Sequence, residues 1–523
     1  MISNVRKPGH GQRPLIVVGV VALGIIAAAA WPSAPSPAAG SQRAADSAGQ
    51  GQVSGSPAAY VRVTRSSYAT LATRSIQLLE TSYYNGTGLW HMCVPVICNT
   101  KNRDWGADVL TDVLYFRWML DRDPSVVPLM RRLAQTAHLW LSGQLGSSDS
   151  VTWDAVADVR LYQLTGEKTA LAKAEAALKF VDTEPGLATG ACPRIDYQWP
   201  DGARGQLKTL ETGSNYIKAA LLLYGSTGKR TYLTRAISQY GLARKYFLDR
   251  KMSLYSSYLF DTGTKCTLLP GQYFASVNGN MIWAGSMLAQ ITGKARYLHN
   301  ARATAQAVNR KLSDGDRVFA DLQADNDIVE PLIEAMYRLA TVDHAAFATR
   351  WLLHNASAAG ADDNSNGQFG RFFDGPPPTS LATVWQINGG IALMVATAAL
   401  DPHGKPADPG FWNQANFVID SQTLIGKQVQ IAFTGRAIAI IGSIGDKCCL
   451  YGHARVFVDG KQTVNQTGIW QNYSSPARVQ PDQVLFAWRW KTAGHHVITI
   501  RPAPYDNTEG GSFFSMTGYL LVG

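Results

Sequence analysis

The 523-residue sequence predicts a mainly α fold, an (α/α)6 toroid of six helical hairpins, followed by an all-β sandwich of the jelly-roll type. A Thr-Gly phrase recurs around Gly166, Gly228 and Gly293, at a spacing that fits two helices with their connections. Amphipathic runs with helical spacing stand before and after each phrase. From about Phe411 onward the pattern changes to short alternating strands.

Each glycine of the phrase is typical of the residue just past a helix C-terminus. Together with weaker copies of the phrase, the repeat predicts twelve helices in six pairs. They are expected near residues 65–83, 106–120, 124–142, 153–164, 168–182, 211–226, 230–248, 278–291, 295–312, 328–340, 344–358 and 381–399.

The connections between these helices alternate in length. Short turns follow the even-numbered helices, whereas long segments rich in Gly, Pro and Asn precede them. Antiparallel packing then places all the long segments at one end of the toroid. Because loops on a rigid scaffold carry function, functional residues are expected at the N-termini of the even helices.

The N-terminus carries three basic residues before an uncharged apolar run from Leu15 to Trp31. This pattern predicts an export signal over residues 1–31, either a cleaved signal peptide or an uncleaved membrane anchor. In both cases the bulk of the chain is expected outside the cytoplasm, secreted or membrane-anchored.

Residues 32–58 are dominated by Pro, Ala, Gly and Ser, so they predict a flexible linker. The predicted domains are the helical toroid at 59–402 and the sandwich at 411–523. The formal net charge of +10 is spread along the chain without a dense basic run, which argues against a nucleic-acid partner. No Gly-rich strand-turn-helix predicts a nucleotide cofactor, and no G-x-S-x-G elbow predicts a serine hydrolase.

Six cysteines in an exported chain predict disulfides. Pairing in chain order is expected, although six cysteines allow 15 connectivities. A metal site is the alternative, but no C-x-x-C or H-x-x-x-H spacing supports it. The expected pairs are Cys93–Cys98, Cys192–Cys266 and Cys448–Cys449.

The Thr-Gly turns, the twelve helices and the tryptophan-bearing helix at 153 make residues 60–400 resemble the family 76 glycoside hydrolases. These are endo-α-1,6-mannanases with an (α/α)6 barrel, so the resemblance implies glycosidase activity on an α-mannan-like polysaccharide. In that family an Asp-Asp pair precedes a Trp-Trp pair and a helix that ends in the Thr-Gly turn. The match makes Asp149 the nucleophile, places Ser150 at the acid/base position and places Asp154 at the second tryptophan.

The serine at the acid/base position matters because a retaining glycosidase needs two carboxyl groups about 5 to 5.5 Å apart. Ser150 cannot donate a proton at neutral pH. Asp154 and Asp158 share one helical face and lie near Asp149, so either can replace the missing acid or form a wider inverting pair. The alternative is structural, with Asp149 as a helix cap and Asp158 paired with a basic neighbour such as Arg160.

Residues at or beside the even-helix N-termini are candidates for substrate binding. Polar side chains there suit hydrogen bonds to sugar hydroxyls, and indoles stack on pyranose rings. Asparagines are also ordinary cap residues, and most large aromatics in a helical barrel belong to the core. The predicted substrate-binding residues are Trp90, Trp105, Trp153, Glu211, Asn215, Asn278 and Trp385.

An acidic cluster of Asp325, Asp327 and Glu330 precedes another even helix. Like charges this close raise one another's pKa, so the cluster is a second place for a general acid. The alternative is that these carboxylates complement the dipole of the helix that follows.

The C-terminal residues predict about eight strands, with Asp459-Gly460 as a two-residue hairpin signal. They resemble, loosely, the galactose-binding-like jelly-roll modules of secreted carbohydrate enzymes. Four aromatic residues are either a sugar platform or core: Trp470, Tyr473, Trp488 and Trp490.

Two functions remain from the sequence. One is an extracellular glycoside hydrolase whose partner is a polysaccharide, with Asp149 and one of Asp154 or Asp158 as the working carboxylates. The other is a catalytically inactive glycan-binding or scaffolding protein of the cell envelope, which Ser150 favours. A membrane is a partner if residues 1–31 stay uncleaved.

Overall fold

A computed structural model describes residues 66–83, 93–94, 105–136, 148–183, 190–192, 197–198, 207–320, 328–361, 367–370, 372–377, 382–425, 427–444, 453–464, 469–470, 480–503 and 513–523. The predicted export signal and linker lie outside these residues. Among the described residues, no helix has both the length and the apolar character needed to cross a membrane.

The described residues contain twelve α-helices, at the positions that the repeat predicts. A π-helical turn, Leu79–Tyr83, continues the first of them. The helices are α1 Tyr68–Leu78, α2 Trp105–Asp121, α3 Val126–Thr136, α4 Ser148–Thr165, α5 Lys168–Thr183, α6 Leu210–Thr227, α7 Arg230–Tyr246, α8 Ala275–Thr292, α9 Ala295–Lys311, α10 Glu330–Thr341, α11 Ala346–Ala359 and α12 Val384–Leu400.

The six even-numbered helices form a closed inner ring. Each contacts the next in the order α2, α4, α6, α8, α10 and α12, and α12 contacts α2. The odd-numbered helices pack on the outside of this ring. The (α/α)6 toroid is therefore confirmed, and the long connections all lead into the N-termini of the inner helices.

The Thr-Gly turns have a shared geometry that explains the repeat. Gly228 takes φ +70°, and its N–H donates to the carbonyl four residues back at 2.8 Å. The hydroxyl of Thr227 donates to another carbonyl of the last helical turn at 2.7 Å and accepts the N–H of Lys229 at 3.2 Å. The same arrangement recurs around Gly166 and Gly293. The motif therefore ends one helix and reverses the chain direction into the next helix of the hairpin.

The inner helices are buried almost all round because helices cover both of their faces. In α6, every residue from Thr212 to Leu223 is buried. Gly279 in α8 allows a close helix crossing, since a Cβ there would lie 2.3 Å from the backbone nitrogen of Leu332 in α10. Gly279 therefore permits the close approach of α8 and α10.

Short strands lie within the long connections between helices. A four-stranded antiparallel sheet runs in the order β2, β3, β6, β7, and β3 leads directly into α6. Two further antiparallel pairs, β1 with β8 and β4 with β5, complete this group. The strands are β1 Cys93–Val94, β2 Tyr197–Gln198, β3 Leu207–Thr209, β4 Leu248–Asp249, β5 Leu254–Tyr255, β6 Tyr258–Asp261, β7 Cys266–Leu268 and β8 Ala382–Thr383.

A disulfide between Cys192 and Cys266 ties the α5–α6 connection to β7, as pairing in chain order predicts. Asp261 supports the same junction, since its carboxylate accepts the N–H groups of Ala191 and Cys192 at 3.0 and 2.9 Å. Each of the other two predicted pairs includes residues that lie outside the described part of the chain.

The C-terminal strands form one antiparallel network in the order β12, β11, β14, β10, β15, β9, with β13 on β11. The long strands β10 and β14 shift register at Gly435, and residues on both sides of that shift line one apolar core. The strands are β9 Asn416–Ile425, β10 Val429–Ile444, β11 His453–Val458, β12 Lys461–Gln462, β13 Ile469–Trp470, β14 Gln480–Ala503 and β15 Phe513–Val522.

This network fits the predicted sandwich. Val458 pairs with Lys461 across the turn between β11 and β12. Asp459 and Gly460 both take positive φ there, 49° and 77°. The predicted two-residue hairpin is therefore confirmed.

Candidate active site

Helix α4 begins at Ser148, five residues earlier than the sequence predicts. Asp149 and Ser150 therefore lie inside the first turn of an inner helix rather than before it, at the end of the ring where the long connections gather. An acidic residue in a first turn suits the helix dipole, so the observed start is physically reasonable. Trp105 and Trp385 also lie in first turns, those of α2 and α12. Trp90, Asp325 and Asp327 lie outside the described residues.

Asp154 and Asp158 lie farther along α4. Their side chains are 4% and 0% exposed. They stand on one face of the helix, about one turn apart. Both carboxyl groups are therefore inside the toroid, and Asp154 is the nearer of the two to the loop end.

Trp153 is also buried, at 1% exposure, and packs against Ile328 just before α10. Because α4 and α10 stand on opposite sides of the ring, this contact crosses its interior. Trp283 of α8 is likewise buried, and the cations of Arg160, Lys218 and Arg338 lie within 6.0 Å of its ring. Trp153 thus lies in the interior of the ring, and Trp283 lies beside cations of the inner helices.

Two basic and two acidic side chains, each from a different inner helix, meet in the ring. We call Asp112, Arg160, Lys218 and Glu334 the ion cluster. The ammonium of Lys218 lies 2.8 Å from Glu334 Oε2 and 3.2 Å from Asp112 Oδ2. The guanidinium of Arg160 contacts Glu334 Oε1 and lies 3.9 Å from Asp112 Oδ1. Two cations and two carboxyl groups thus pair inside the apolar wall of the toroid.

Burial and pairing act in opposite directions on these groups. Burial opposes ionisation of Glu334, but Arg160 and Lys218 outweigh it and lower the pKa to about 2. Burial would also lower the pKa of Lys218, yet Asp112 and Glu334 raise it. For Asp112, burial dominates and raises the pKa. Glu334 is therefore the firmly ionised anion of the cluster.

Glu330 is the first residue of α10, one turn before Glu334, and is 4% exposed. Its Oε2 has no hydrogen-bond partner in the described part of the chain. Burial, and then the charge of Asp112, raise its pKa well above the ordinary value. The environment of Glu330 therefore favours the protonated carboxylic acid over the carboxylate.

Glu211 opens α6, where Thr209 caps the helix by accepting the Glu211 N–H at 3.1 Å. The residue is half-buried. Ser276, at the start of α8, donates its hydroxyl to Glu211 Oε1 at 2.7 Å. Burial raises the pKa of Glu211 to about 7, against the weaker lowering effect of this hydrogen bond. A carboxyl group with this pKa can donate or accept a proton near neutrality.

The predicted asparagines differ in their surroundings. Asn215 accepts a hydrogen bond from the amide of Asn280 at 2.7 Å, between α6 and α8. Asn278 instead pairs with backbone, donating to the carbonyl of Tyr255 at 3.0 Å and accepting its N–H at 2.9 Å. Asn278 thus holds β5 against α8, whereas the Asn215 pair lies between two inner helices.

Glu211 and Glu330 both begin inner helices at the loop end of the ring, as Asp149 does, while the ion cluster lies about two turns deeper in α2 and α6. Within the described residues, no group of three His, Cys, Asp or Glu side chains is placed to hold a metal ion. The arrangement offers proton transfer by carboxyl groups.

Six helical hairpins with an inner and an outer layer of helices form an (α/α)6 toroid. Solved structures of family 76 share this fold. The α-1,6-mannanase GH76A from Salegentibacter sp. HEL1_6 is 20% identical and aligns with a TM-score of 0.56 over 64% of this chain and 100% of its own. An inactive double-aspartate variant of that protein was solved in complex with α-1,6-mannotetrose. It is 19% identical and aligns with a TM-score of 0.57 over 64% of this chain and 100% of its own.

A family 76 mannosidase from Bacteroides thetaiotaomicron VPI-5482 is 14% identical, with a TM-score of 0.53 over 64% of this chain and 98% of its own. At these identities the likeness shows the fold alone. No protein-family model and no curated protein matches the sequence. The described chain therefore has the family 76 type of six-hairpin fold, with a C-terminal β-sheet domain beyond it.

Proposed function

We propose that this protein is an extracellular glycoside hydrolase that acts on an α-mannan-like polysaccharide. The observation that carries the proposal is the combination of the mannanase-type toroid with carboxyl groups at its loop end, where the inner helices begin. Two of the similar solved structures hold α-1,6-linked manno-oligosaccharides. In this chain the substrate is expected to lie across the loop end of the toroid, where the inner helices begin.

Asp149 is the proposed nucleophile or base. In a retaining reaction its carboxylate attacks the anomeric carbon while an acid protonates the leaving glycosidic oxygen, and water then releases the sugar. In an inverting reaction Asp149 takes a proton from water instead. Both routes require a second carboxyl group that is protonated when the substrate binds.

Glu211 is the proposed source of that proton, alongside Asp154 and Asp158. Its pKa of about 7 keeps much of it protonated at neutral pH, and the residue is half-buried at the start of α6. Ser150 cannot supply this proton because a hydroxyl group does not ionise near neutrality.

Two substrates that differ in their leaving group distinguish a proton donor from a residue that only binds sugar. Replacing Glu211 with glutamine is expected to slow release from α-1,6-mannan by about 10²- to 10⁴-fold, the usual contribution of general acid catalysis. An aryl α-mannoside with a leaving group that needs no proton should lose far less. Equal losses on both substrates would show that Glu211 binds sugar rather than donating a proton. The matched control is Glu175→Gln on the outer helix α5, where the carboxylate pairs with Lys229.

The hydrolase itself is tested by product release from α-1,6-mannan and a panel of bacterial and fungal wall glycans. Wild type should release oligosaccharides from at least one glycan, and Asp149→Asn should release none. Failure of wild type on every glycan, with binding retained, favours the second candidate, an inactive glycan-binding or scaffolding protein. Ser150, at the position of the family's acid/base, is the observation that favours it.

Export is the remaining part of the proposal. The basic residues before Leu15 and the apolar run to Trp31 support a secreted or membrane-anchored protein. N-terminal sequencing of protein from culture medium and from membranes would distinguish cleavage after the apolar run from retention as an anchor. Protein confined to the cytoplasmic fraction would contradict export.

A further inference from the structure

Four acidic side chains and one arginine meet where the toroid and the segment after α12 contact strand β14 of the C-terminal sheet. Arg489 of β14 is 5% exposed, and its guanidinium lies 2.8 Å from Asp408 and 3.1 Å from Asp316. Its backbone N–H donates to Asp314 Oδ2 at 3.2 Å, and its charge acts on the nearby carboxyl group of Asp374. We call these five residues the interdomain cluster. Four carboxyl groups share one guanidinium there, so they cannot all be ionised without an excess of negative charge.

The two domains pack closely around the interdomain cluster. Gly315 forms an isolated β-bridge with Trp490, and a Cβ on this glycine would lie 2.8 Å from the indole ring. A Cβ on Gly375, the residue after Asp374, would lie 3.0 Å from the Cβ of Ala487 in β14. The toroid and the sheet are therefore in direct contact on either side of the cluster.

Two of the four acids form a buried carboxyl pair. Asp314 and Asp374 are 6% and 1% exposed and hydrogen-bond to each other through their side chains. Asp314 also accepts the N–H groups of Asp316 and Val318, at 2.9 and 2.8 Å. Apart from Asp314, neither carboxyl oxygen of Asp374 has a hydrogen-bond partner in the described part of the chain. Because a hydrogen bond between two carboxyl groups needs a proton, the buried pair retains one.

The surroundings of the pair favour its protonated form. Burial, and then the charge of Asp374, raise the pKa of Asp314 well above its ordinary value. Burial also raises the pKa of Asp374 to about 6, although the hydrogen bond to Asp314 and the charge of Arg489 lower it. The neighbouring Asp316 adds to the rise. The single guanidinium of the cluster therefore does not offset the burial of both acids.

Other charged and titratable groups lie around the cluster. Arg436 of β10 and Arg489 both stand over the ring of Phe411, at 5.3 and 3.9 Å from its centroid. From α11, the Nε2 of His354 lies 2.7 Å from the backbone carbonyl of Asp316. The remaining groups line the cavity beside Asp314 or contact its lining, and they are Lys311, Lys461, Asp459 and His496. The two histidines thus face a backbone carbonyl and Asp459 rather than the carboxyl pair.

We propose that the contact between the toroid and the C-terminal sheet is a pH-dependent switch, closed while Asp314 and Asp374 hold a proton between them. Opening the contact hydrates both carboxyl groups, which then ionise at their ordinary pKa of about 4 and release the proton. Each proton released on opening makes the open state about tenfold more populated per pH unit. The contact is therefore firm in mild acid and weakens as the pH rises through and beyond 6. Nothing in this switch requires the chain to hydrolyse a glycan.

The test is hydrogen exchange of the full-length protein, followed by mass spectrometry at pH 6, 7 and 8, with each rate divided by the intrinsic rate at that pH. The reporter is the peptide that contains the Arg489 N–H, which donates to Asp314. A peptide from α8 reports the helical ring. Asp374→Asn keeps the shape of the side chain and a hydrogen-bond donor for Asp314, but it does not titrate. The matched control is His496→Gln, which removes another titratable group of β14.

In wild type and His496→Gln, the corrected exchange of the reporter should rise about tenfold per pH unit while α8 stays protected. Asp374→Asn should show no such rise. Asp314→Asn, which removes the titration from the other side of the pair, should also show none. A wild-type rate that does not change with pH, the wild-type rise in either aspartate variant, or a parallel rise in α8 would overturn the inference. Loss of the rise in His496→Gln would overturn it too, because the carboxyl pair would then not be the group that titrates.

Discussion

Replacing Lys218 with methionine removes one cation from the ion cluster inside the toroid. The ammonium is 1% exposed and lies within 3.2 Å of two carboxyl groups, those of Glu334 and Asp112. Methionine has similar length and fills the space, so the change tests charge rather than volume. After the substitution, only Arg160 remains to balance the two acids.

Breaking a buried ion pair by removing one partner typically costs about 3–5 kcal/mol, because an uncompensated charge stays in the protein interior. Lys229→Met is the matched control. Lys229 lies 2.6 Å from Glu175, but its side chain is 56% exposed. Such a surface pair contributes about 0–1 kcal/mol. The two lysine substitutions should therefore differ by roughly 3 kcal/mol in unfolding free energy.

The assay is urea unfolding at pH 7, followed by far-ultraviolet circular dichroism, which reports the helical domain. A lower midpoint with an unchanged slope indicates lost stability. The double variant Lys218→Met/Glu334→Gln should cost less than the sum of the single changes, because both residues belong to one network. If Lys218→Met costs no more than Lys229→Met, the ion cluster is not buried and paired as described.

Three further predictions concern pH and the Thr-Gly turns. The folded pKa of Glu334, about 2, lies below its ordinary 4.5, so its stabilising effect is complete above pH 4.5 and lost as pH falls toward 2. The difference in unfolding free energy between wild type and Glu334→Gln should therefore shrink from pH 6 to pH 3 in urea titrations. A difference that does not change with pH would contradict the ion pairing of Glu334. If Glu211 is the proton donor, kcat/KM on α-1,6-mannan should fall as pH rises through about 7, and Glu211→Gln should lack that limb. A profile that is flat between pH 6 and pH 8 would exclude this role. Gly228→Ala should cost about 1–2 kcal/mol because its φ is +70°, whereas Gly225→Ala, inside α6 with open space at its Cβ, should gain up to about 1 kcal/mol. Thermal unfolding of the pair checks this, and equal midpoints would refute the left-handed assignment.

The toroid was predictable because its signals are local and repeated. The Thr-Gly phrase combines a hydroxyl that closes the last helical turn with a glycine at positive φ, and three copies of it set the period of the hairpins. Helix α6 shows the precision of such signals. Its predicted span of 211–226 is observed as Leu210–Thr227.

Helix starts were harder to predict than helix ends. Helix α4 begins at Ser148 rather than at 153, because a polar first turn carries no apolar periodicity that the pattern can detect. The error matters for function, since it moves Asp149 from a loop into an inner helix. A start signal was present in the Ser-Asp-Ser sequence, which suits a helix N-terminus.

The ion cluster could not be predicted from the sequence. Arg160 and Glu334 are 174 residues apart, and Lys218 and Asp112 are 106 apart. Only ring closure brings them together. A lysine inside the apolar run of α6 was the available signal, because a buried lysine requires a carboxylate partner. Glu211 was predicted as a binding residue, and the burial that raises its pKa is likewise visible only in three dimensions.

Hydrolysis of α-1,6-mannan through Asp149 is measured by the initial rate of reducing-end release. Wild type, Asp149→Asn and the outer-helix control Glu175→Gln should be assayed in parallel at pH 6, where Glu211 is mostly protonated. Wild type and Glu175→Gln are expected to release reducing ends, and Asp149→Asn is expected to release none. Equal release by all three proteins, or no release by wild type while mannan still binds, would rule out the proposed hydrolase.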